Sequence, residues 1–220
     1  MTDPADVDTY IVERLIPADA GLDTALAANA AAGLPSIDVS AAQGKMLHLF
    51  ALMVGARRIL EVGTLGGYST IWLARGLAPG GRLVTCEIDP HHAATARANL
   101  DRAGVGTLVE IRVGAASDTL AAMIAAGEGG FDLIFIDADK PGNVAYLTAT
   151  LALVRPGATI VVDNVVRRGE VADAASTDPR VIGSRALFDA VAAEPRLTAT
   201  AIQTVGAKHW DGFLLARVAA

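Results

Sequence analysis

Apolar residues fall into two kinds of segment, which alternate from residue 59 to near the end of the chain. Short apolar runs such as Ile59, Leu60 and Val62 are typical of buried parallel strands, and segments with helical periodicity follow them. The predicted strands are 59–62, 82–86, 108–113, 131–136, 159–162, 198–204 and 212–218. The predicted helices between them are 68–75, 90–103, 117–125, 144–154 and 181–192.

The last two predicted strands are joined by residues 205–211, a linker that is too short for a crossover helix. They are therefore expected to form a hairpin, which makes the last strand antiparallel. Five strand–helix units followed by this hairpin predict an α/β fold with a doubly wound, mostly parallel, Rossmann-like sheet of seven strands.

Residues 5–54 precede the first strand and are predicted to be helical. Val7, Tyr10 and Leu15 recur at helical spacing, and Ser40 is placed to cap a later helix. These N-terminal helices are expected to cover the sheet or to form a contact between subunits. The pattern alone is compatible with both.

Composition and charge limit the partners and the cellular compartment that we expect for the protein. Its 220 residues carry 18 Lys and Arg against 24 Asp and Glu, and the net charge of −6 disfavours nucleic acid as a partner. The single cysteine, Cys86, cannot form an internal disulfide, which fits a reducing cytoplasm. No apolar run approaches the roughly 18 residues of a membrane span, and the N-terminus lacks the apolar core of a signal peptide. We expect a cytoplasmic protein without a membrane partner, built as one domain (1–220) with helices in 1–54 and the core in 55–220.

A glycine-rich turn follows the first predicted strand. Its sequence is Glu61-x-Gly63-x-x-Gly66-Gly67, directly ahead of the helix that begins at Tyr68. Glycines let a ligand approach the backbone closely, at the end of the strand where α/β sheets bind ligands. The dinucleotide fingerprint G-x-G-x-x-G is incomplete, and a carboxylate is a poor neighbour for a pyrophosphate. The turn therefore favours a cationic ligand.

Acidic residues stand at the ends of four predicted strands. They are Glu61, Glu87, Asp137 and Asp163, the last followed by Asn164. Parallel strands end at one edge of a sheet, so these side chains are expected to line a single crevice. An acid after the second strand can accept both hydroxyl protons of a ribose, which makes Glu87 the candidate for that contact. The alternative is that such acids cap the next helix.

Three oxygen ligands are expected to converge where the fourth and fifth strands end. Asp137, Asp163 and Asn164 supply two carboxylates and an amide, a set that suits Mg²⁺, Mn²⁺ or Ca²⁺ rather than zinc. Lys140 follows at the mouth of the same crevice. Because a positive charge beside a bound cation is disfavoured, Lys140 is a candidate base. The alternative is an ordinary Asp–Lys surface pair and an Asp-Asn turn.

These motifs resemble the cation-dependent O-methyltransferases of the catechol and caffeoyl-CoA O-methyltransferase family, over roughly residues 37–218. The resemblance implies S-adenosylmethionine and a divalent cation, with Mg²⁺ favoured, as cofactors. It places the cation on Asp137, Asp163 and Asn164 and the catalytic role on Lys140 together with Asp137. It implies cofactor contacts at Val39, Glu61, Gly63, Thr64, Gly67, Ser69, Glu87, Ala116, Asp137 and Asp139.

One departure from the plant members of this family concerns the acceptor. The plant enzymes have a substrate-contacting asparagine in the loop after Asp-Asn, where this chain reads Val165-Val166-Arg167-Arg168-Gly169. A caffeoyl-CoA acceptor is therefore not carried over. The expected acceptor is a small aromatic molecule with two adjacent hydroxyls, and the resemblance also implies a homodimer.

The expected reaction yields a monomethyl ether and S-adenosylhomocysteine. Lys140 would take the phenol proton or stabilise the phenolate, and the oxygen would attack the sulfonium methyl group in line. Two other classes share the fold: a nicotinamide-dependent reductase and a non-catalytic, methyltransferase-like binding protein. The missing glycine fingerprint argues against the first, and the complete set of Asp137, Lys140, Asp163 and Asn164 argues against the second.

Overall fold

The computed structural model describes residues 3–220, and in that part of the chain three helices precede an alternation of strands and helices. The three helices are α1 (Pro4–Leu15), α2 (Ala20–Ala31) and α3 (Ala41–Met53). The strands are β1 (Arg58–Val62), β2 (Arg82–Glu87), β3 (Val109–Val113), β4 (Phe131–Ile136), β5 (Val154–Asp163), β6 (Leu197–Gly206) and β7 (His209–Val218). The helices among the strands are α4 (Tyr68–Arg75), α5 (Pro90–Arg102), α6 (Ala116–Ala125), α7 (Asn143–Leu151) and α8 (Pro179–Ala193).

The strands form one sheet in the order β3-β2-β1-β4-β5-β7-β6. Strands β1 to β5 are parallel, and β7 is antiparallel to both of its neighbours. The predicted doubly wound sheet with an antiparallel last strand is confirmed. The strand order reverses between β1 and β4, and in such sheets the ligand crevice lies at that switch point.

Alternation along each strand divides the core between the two faces of the sheet. In β1, Leu60 and Val62 belong to a cluster that packs under α6, α7 and α8. Ile59 points to the other face, where a second cluster packs under α3, α4 and α5. The side chain of Glu61 shares the face of Ile59, and this places a carboxylate beneath α4.

Two predicted boundaries were wrong. Helix α7 ends at Leu151, and β5 already begins at Val154, where the predicted helix was expected to end. The first part of β5 contains Pro156 and Gly157, which resemble a loop in the sequence, and the β4–β5 register shifts there. The hairpin is also tighter than predicted, because pairing continues through Val205 to a two-residue turn after Gly206.

The N-terminal helices lie against the sheet and its hairpin. Ser40 caps α3 as predicted, with its Oγ accepting a hydrogen bond from the N–H of Gln43 at 3.2 Å. Helix α1 reaches the β6–β7 turn, where Asp8 Oδ2 accepts from the N–H of Ala207 at 2.8 Å. The outer face of α1 remains exposed, including Leu15 at 69%. Within residues 3–220 there is no helix with the length and apolar character needed to cross a membrane.

Candidate active site

A cavity of about 770 Å³ opens at the carboxyl ends of β1, β2, β4 and β5, beside the segment that joins α2 to α3. Most of the residues predicted for the site line this cavity: Val39, Gly63, Thr64, Ser69, Glu87, Ala116, Asp137, Asp139, Lys140 and Asn164. Of the predicted residues, Glu61, Gly67 and Asp163 lie outside its lining.

The glycine turn brings the ends of β1 and β4 into contact. Gly63 has φ 99°, and a Cβ atom on it would lie 2.1 Å from the carbonyl oxygen of Asp137. The N–H of Asp137 donates to the carbonyl of Val62 at 2.8 Å, which fixes the two strand ends together. Gly67 has φ 83° and faces Ala96 of α5 rather than the cavity. Its left-handed backbone starts α4, so its role here is to shape the turn.

Glu61 is fully buried behind the cavity wall. It accepts hydrogen bonds from Ser69 Oγ at 2.7 Å, Thr70 Oγ1 at 2.5 Å and Thr85 Oγ1 at 2.8 Å. Burial raises the pKa of Glu61 to about 7, and these three hydroxyl donors oppose part of that rise. The predicted cofactor contact of Glu61 stays a prediction. Its contact with the cavity runs through Ser69, which it orients.

Glu87 stands at the end of β2 with its carboxylate toward the glycine turn. Its Oε2 accepts from the N–H groups of Thr64 at 3.1 Å and Leu65 at 2.8 Å, and Oε1 accepts from Asp89 N–H at 3.0 Å. A carboxylate has about four lone-pair sites, so one on Oε1 remains for a ligand. Glu87 does not cap the next helix, because the N-cap of α5 is Asp89; it organises the glycine turn and lines the cavity, and its ribose contact stays a prediction.

Lys140 and Asp137 form a close pair at the floor of the cavity. Lys140 Nζ donates to Asp137 Oδ1 at 2.9 Å, and Lys140 is only 6% exposed. Helix α8 holds the backbone in place, since a Cβ on Gly183 would lie 2.3 Å from the carbonyl oxygen of Lys140. The pair is thus a buried part of the cavity and not an ordinary surface pair.

Asp139 is tied to the helix that follows it. Its Oδ2 accepts from Gly142 N–H at 3.0 Å, and its Oδ1 accepts from the hydroxyl of Tyr146. Burial, together with the adjacent Asp139 carboxylate, raises the pKa of Tyr146. Tyr146 lines the cavity and adds an aromatic ring to its wall.

Asp163 and Asn164 end β5 next to Asp137. Asp163 is 4% exposed, and burial followed by the charge of Asp137 raises its pKa to about 7. Asn164 has φ 54°, which turns its side chain into the cavity lining. Two carboxylates and an amide are compatible with Mg²⁺, which binds one or two protein carboxylates and takes its other ligands from water or substrate. Residues 3–220 contain no group of three or more His, Cys, Asp and Glu side chains able to hold a metal ion, so Asn164 is needed to complete the set.

Several residues of the cavity wall were missed by the sequence analysis. Asp38 lines it, held by Asn29 Nδ2, which donates to Asp38 Oδ1 at 2.9 Å. Arg167 and Arg180 line the opposite wall. The signal for Arg180 is a basic residue in the first turn of a helix, where the helix dipole disfavours positive charge. Asp38 is adjacent to the predicted Val39 and has no motif of its own.

Asp211 has a structural role in this chain. Its Oδ1 accepts from the N–H groups of Val166, Arg167 and Gly212, each at 3.0 Å. It therefore clamps the loop after Asn164 onto the β6–β7 hairpin. Asp211 lies outside the lining of the main cavity and lines a smaller neighbouring one.

Comparison with known proteins identifies the family of this fold and site. The family model described as O-methyltransferase matches residues 21–218. A catechol O-methyltransferase of Mycobacterium tuberculosis is 55% identical over 98% of this chain and 96% of its own length. A second, from Niastella koreensis, is 50% identical over 96% of each chain.

Two solved structures with bound ligands are similar to this fold along nearly the whole chain. The O-methyltransferase from Bacillus cereus in complex with SAH has a TM-score of 0.96 and 54% identity, over 98% of each chain. The O-methyltransferase TomG from Streptomyces achromogenes, involved in tomaymycin synthesis and solved with SAM, has a TM-score of 0.95 and 47% identity, over all of each chain.

Proposed function

Since the chain belongs to the O-methyltransferase family and is an S-adenosylmethionine-dependent enzyme, we propose that its acceptor is a small ortho-dihydroxy aromatic molecule, methylated with the help of a divalent cation. Family membership decides against a nicotinamide-dependent reductase and against a binding protein without catalysis. The observation that carries the proposal is the buried Lys140–Asp137 pair beside Asn164 in the cavity floor. The relatives named catechol O-methyltransferase support the same class of acceptor.

The cofactor would occupy the part of the cavity over β1 and β2. Glu87 has one lone-pair site left for a ribose hydroxyl, and the Ser69 hydroxyl is oriented by Glu61. Gly63 leaves room for a ligand against the backbone. S-adenosylmethionine carries a sulfonium and an ammonium, and Asp38 and Asp139 add negative charge to the walls around it.

The divalent cation would be held by Asp137, Asp163 and Asn164. A cation bound there would supply Lewis acidity, which makes a hydroxyl of the acceptor beside it more acidic. The carboxylates of Asp137 and Asp163 lie close enough for the charge of one to raise the pKa of the other, an excess of negative charge that a cation offsets.

Lys140 is placed to hold the proton that leaves the acceptor, or to stabilise the phenolate. Its burial and its bond to Asp137 keep Nζ in one position, in a cavity that Asn164 also lines. The acceptor oxygen then bonds the methyl carbon as the bond from sulfur to that carbon breaks. The products are a monomethyl ether and S-adenosylhomocysteine.

An acceptor series tests this function. We expect catechol to be methylated in the presence of Mg²⁺, and phenol and resorcinol, which lack the adjacent hydroxyl, to react far more slowly. The measurement is methyl transfer from radiolabelled S-adenosylmethionine at matched acceptor concentrations. Equal rates for catechol and phenol would contradict a site that binds both oxygens.

We also propose an oligomeric state, a cellular location and a domain organisation for the enzyme. The exposed apolar face of α1, with Val7, Tyr10 and Leu15, supports a homodimer in which this face is covered. The free, buried Cys86 supports a cytoplasmic location. We treat residues 1–220 as one domain, because the helices of 1–54 pack on the same sheet that builds the cavity.

A further inference from the structure

Two arginines line the wall of the cavity on the side of the acceptor. Arg167 lies in the loop after Asn164, and Arg180 lies in the first turn of α8. Both also line a neighbouring polar cavity of about 410 Å³, together with Arg168 and Lys208. Glu170, Asp178 and Asp211 line the same neighbouring cavity, so its four Arg and Lys side chains are accompanied by three acidic ones.

The guanidinium of Arg167 has donors without protein partners. Its Nε is buried and has no hydrogen-bond partner in the described part of the chain. The nearest carboxylate is Asp211, whose Oδ2 lies 3.8 Å from Arg167 Nη1, beyond hydrogen-bonding distance. Asp211 Oδ1 is already occupied by three backbone N–H groups. Since Nε is closed off from the cavity, the two Nη groups are the donors of this 21% exposed side chain that a ligand can reach.

Arg180 differs in this respect. Arg180 Nε donates to both carboxylate oxygens of Asp178 at 3.1 Å, and Arg180 Nη2 donates to Asp178 Oδ2 at 2.6 Å. The side chain of Arg180 is 61% exposed. Asp178 therefore offsets the charge of Arg180, which leaves Arg167 as the stronger anion receptor.

The loop holds Arg167 in an unusual backbone conformation. Arg167 and Arg168 both have positive φ, at 54° and 56°, in the left-handed region that side chains other than glycine rarely adopt. The Asp211 clamp stabilises this conformation, and the ring of Trp210 lies over Gly169, where a Cβ would be 2.5 Å from it. These contacts with the β6–β7 hairpin stabilise the loop conformation in which Arg167 lines the cavity.

Charge is unevenly distributed around the cavity. Asp38, Glu87 and Asp139 line it on the cofactor side, where a cationic ligand is favoured. Arg167 follows Asn164 by three residues, so their Cα atoms lie within about 11 Å of each other, a separation that one substituted ring can span. An acceptor with its hydroxyls beside Asn164 would then direct its far end toward Arg167.

We propose that Arg167 binds an anionic substituent of the acceptor, so that the preferred acceptors are ortho-dihydroxy aromatic acids. The proposal rests on the function proposed above and specifies the acceptor class. The two Nη groups of a guanidinium fit a carboxylate in a bidentate geometry, whereas an uncharged substituent offers no charge for the guanidinium to pair with.

The test compares 3,4-dihydroxybenzoate with its methyl ester. Both carry a carbonyl group at the same ring position, and only the acid carries a charge at neutral pH. The ester withdraws electrons more strongly and has the more acidic hydroxyls, so easier ionisation of the acceptor favours the ester and not the acid. We expect the wild-type enzyme to prefer the acid by about tenfold in kcat/KM, the value of one charged hydrogen bond of about 1.4 kcal/mol at a partly exposed site. Arg167→Gln should remove this preference, so that kcat/KM for the acid falls toward the value for the ester.

Arg168→Gln is the matched control. Arg168 shares the charge and the positive φ of its neighbour but lines only the outer cavity, so the preference for the acid should persist in this variant. Arg167→Lys should restore part of the preference. If Arg167→Gln does not fold, the wild-type ratio decides: equal kcat/KM for acid and ester overturns the proposal.

Different results would contradict the role of Arg167 and the proposed function. Methylation of the ester and of catechol without any preference for the acid contradicts the role of Arg167 alone. Absence of transfer to every ortho-dihydroxy acceptor contradicts the proposed function itself. An unchanged preference in Arg167→Gln also overturns the assignment of the anion to this residue.

Discussion

Lys140 Nζ lies 2.9 Å from Asp137 Oδ1, and both side chains line the cavity at the end of β4. The short 3₁₀ helix Lys140–Gly142 bends the chain directly after the strand and brings the lysine back over the strand end. Lys140 is 6% exposed, so its ammonium relies on Asp137 for its protein hydrogen bond. This contact holds Lys140 in the cavity, where we expect it to act in catalysis.

Replacing Lys140 by Ala should lower kcat by about 10²- to 10⁴-fold, the usual contribution of a positioned acid–base group. The loss should shrink at high pH, because the phenol then ionises without help. The measurement is the pH dependence of kcat on catechol for the wild type and the variant. A constant ratio of the two rates across the pH range would contradict a role for Lys140 in proton transfer.

Replacing Glu87 by Ala should weaken S-adenosylmethionine binding on the order of 30- to 150-fold, through lost ribose contacts and a looser turn at Thr64 and Leu65. Asp89→Asn is the control, because Asp89 caps α5 through the N–H of His91 and lies outside the cavity lining. Calorimetric titration of both variants provides the comparison. An unchanged Kd in Glu87→Ala would refute the assignment.

Glu61 should make stability depend on pH. Its pKa rises from 4.5 to about 7 on folding, so between these values the folded state binds a proton that the unfolded state releases. The free energy of unfolding should therefore fall as pH rises through this window, by on the order of 3 kcal/mol. Glu61→Gln should remove this contribution and gain stability relative to the wild type toward pH 7.5.

The measurement for Glu61 is urea unfolding of both proteins at several pH values between 4.5 and 7.5. Glu110→Gln, an exposed position on β3, serves as the control and should keep the wild-type dependence. Parallel curves for the wild type and Glu61→Gln would show that the buried carboxylate does not carry the effect.

Much of this architecture could be predicted from the sequence. Buried strands such as β4 are apolar except for Asp132, and their ends are marked by a change to polar residues, so Asp137 and Asn164 could be placed at the cavity. The partners of Glu61 could not be predicted, because its bond to Thr85 depends on the register of β1 against β2. Periodicity predicts a strand but not the residue opposite each position.

The position of Arg167 in the cavity wall depends on contacts between residues that are distant in sequence. Arg167 is positioned by Asp211, which follows it by 44 residues and arrives on a different strand. Its positive φ has no sequence signal, because arginine is not a residue that favours this conformation. Pro156 and Gly157 illustrate the opposite problem, since two residues typical of loops lie inside β5.

The face of α1 should mediate self-association. Tyr10 and Leu15 are 58% and 69% exposed, and covering them removes apolar surface from water. We expect a dimer in sedimentation velocity at micromolar concentration, and Leu15→Glu should shift it toward monomer. Ile124→Glu, on α6 at the opposite face of the sheet, is the control. A wild type that sediments only as a monomer would refute the homodimer.

We expect a divalent cation to be required for turnover. Substitution of Asp163, one of the proposed cation ligands, should have an effect similar to removal of the metal. Asp163→Asn should lower the affinity for Mg²⁺ and reduce transfer to catechol, because one of two carboxylate ligands is lost. Asp189→Asn, at an exposed position on α8, should have no effect. Activity of Asp163→Asn equal to that of the wild type at limiting Mg²⁺ would contradict the ligand assignment.

The most direct measurement pairs turnover with cofactor binding in the same chelated sample. The enzyme is treated with EDTA, methyl transfer to catechol is measured, and the affinity for S-adenosylmethionine is determined by calorimetry before and after addition of Mg²⁺. Because Asp137, Asp163 and Asn164 lie at the ends of β4 and β5, and the proposed cofactor contacts Glu87 and Ser69 lie over β1 and β2, chelation should abolish transfer and leave most of the cofactor affinity. Added Mg²⁺ should restore turnover, whereas full activity in exhaustive chelator would contradict the account.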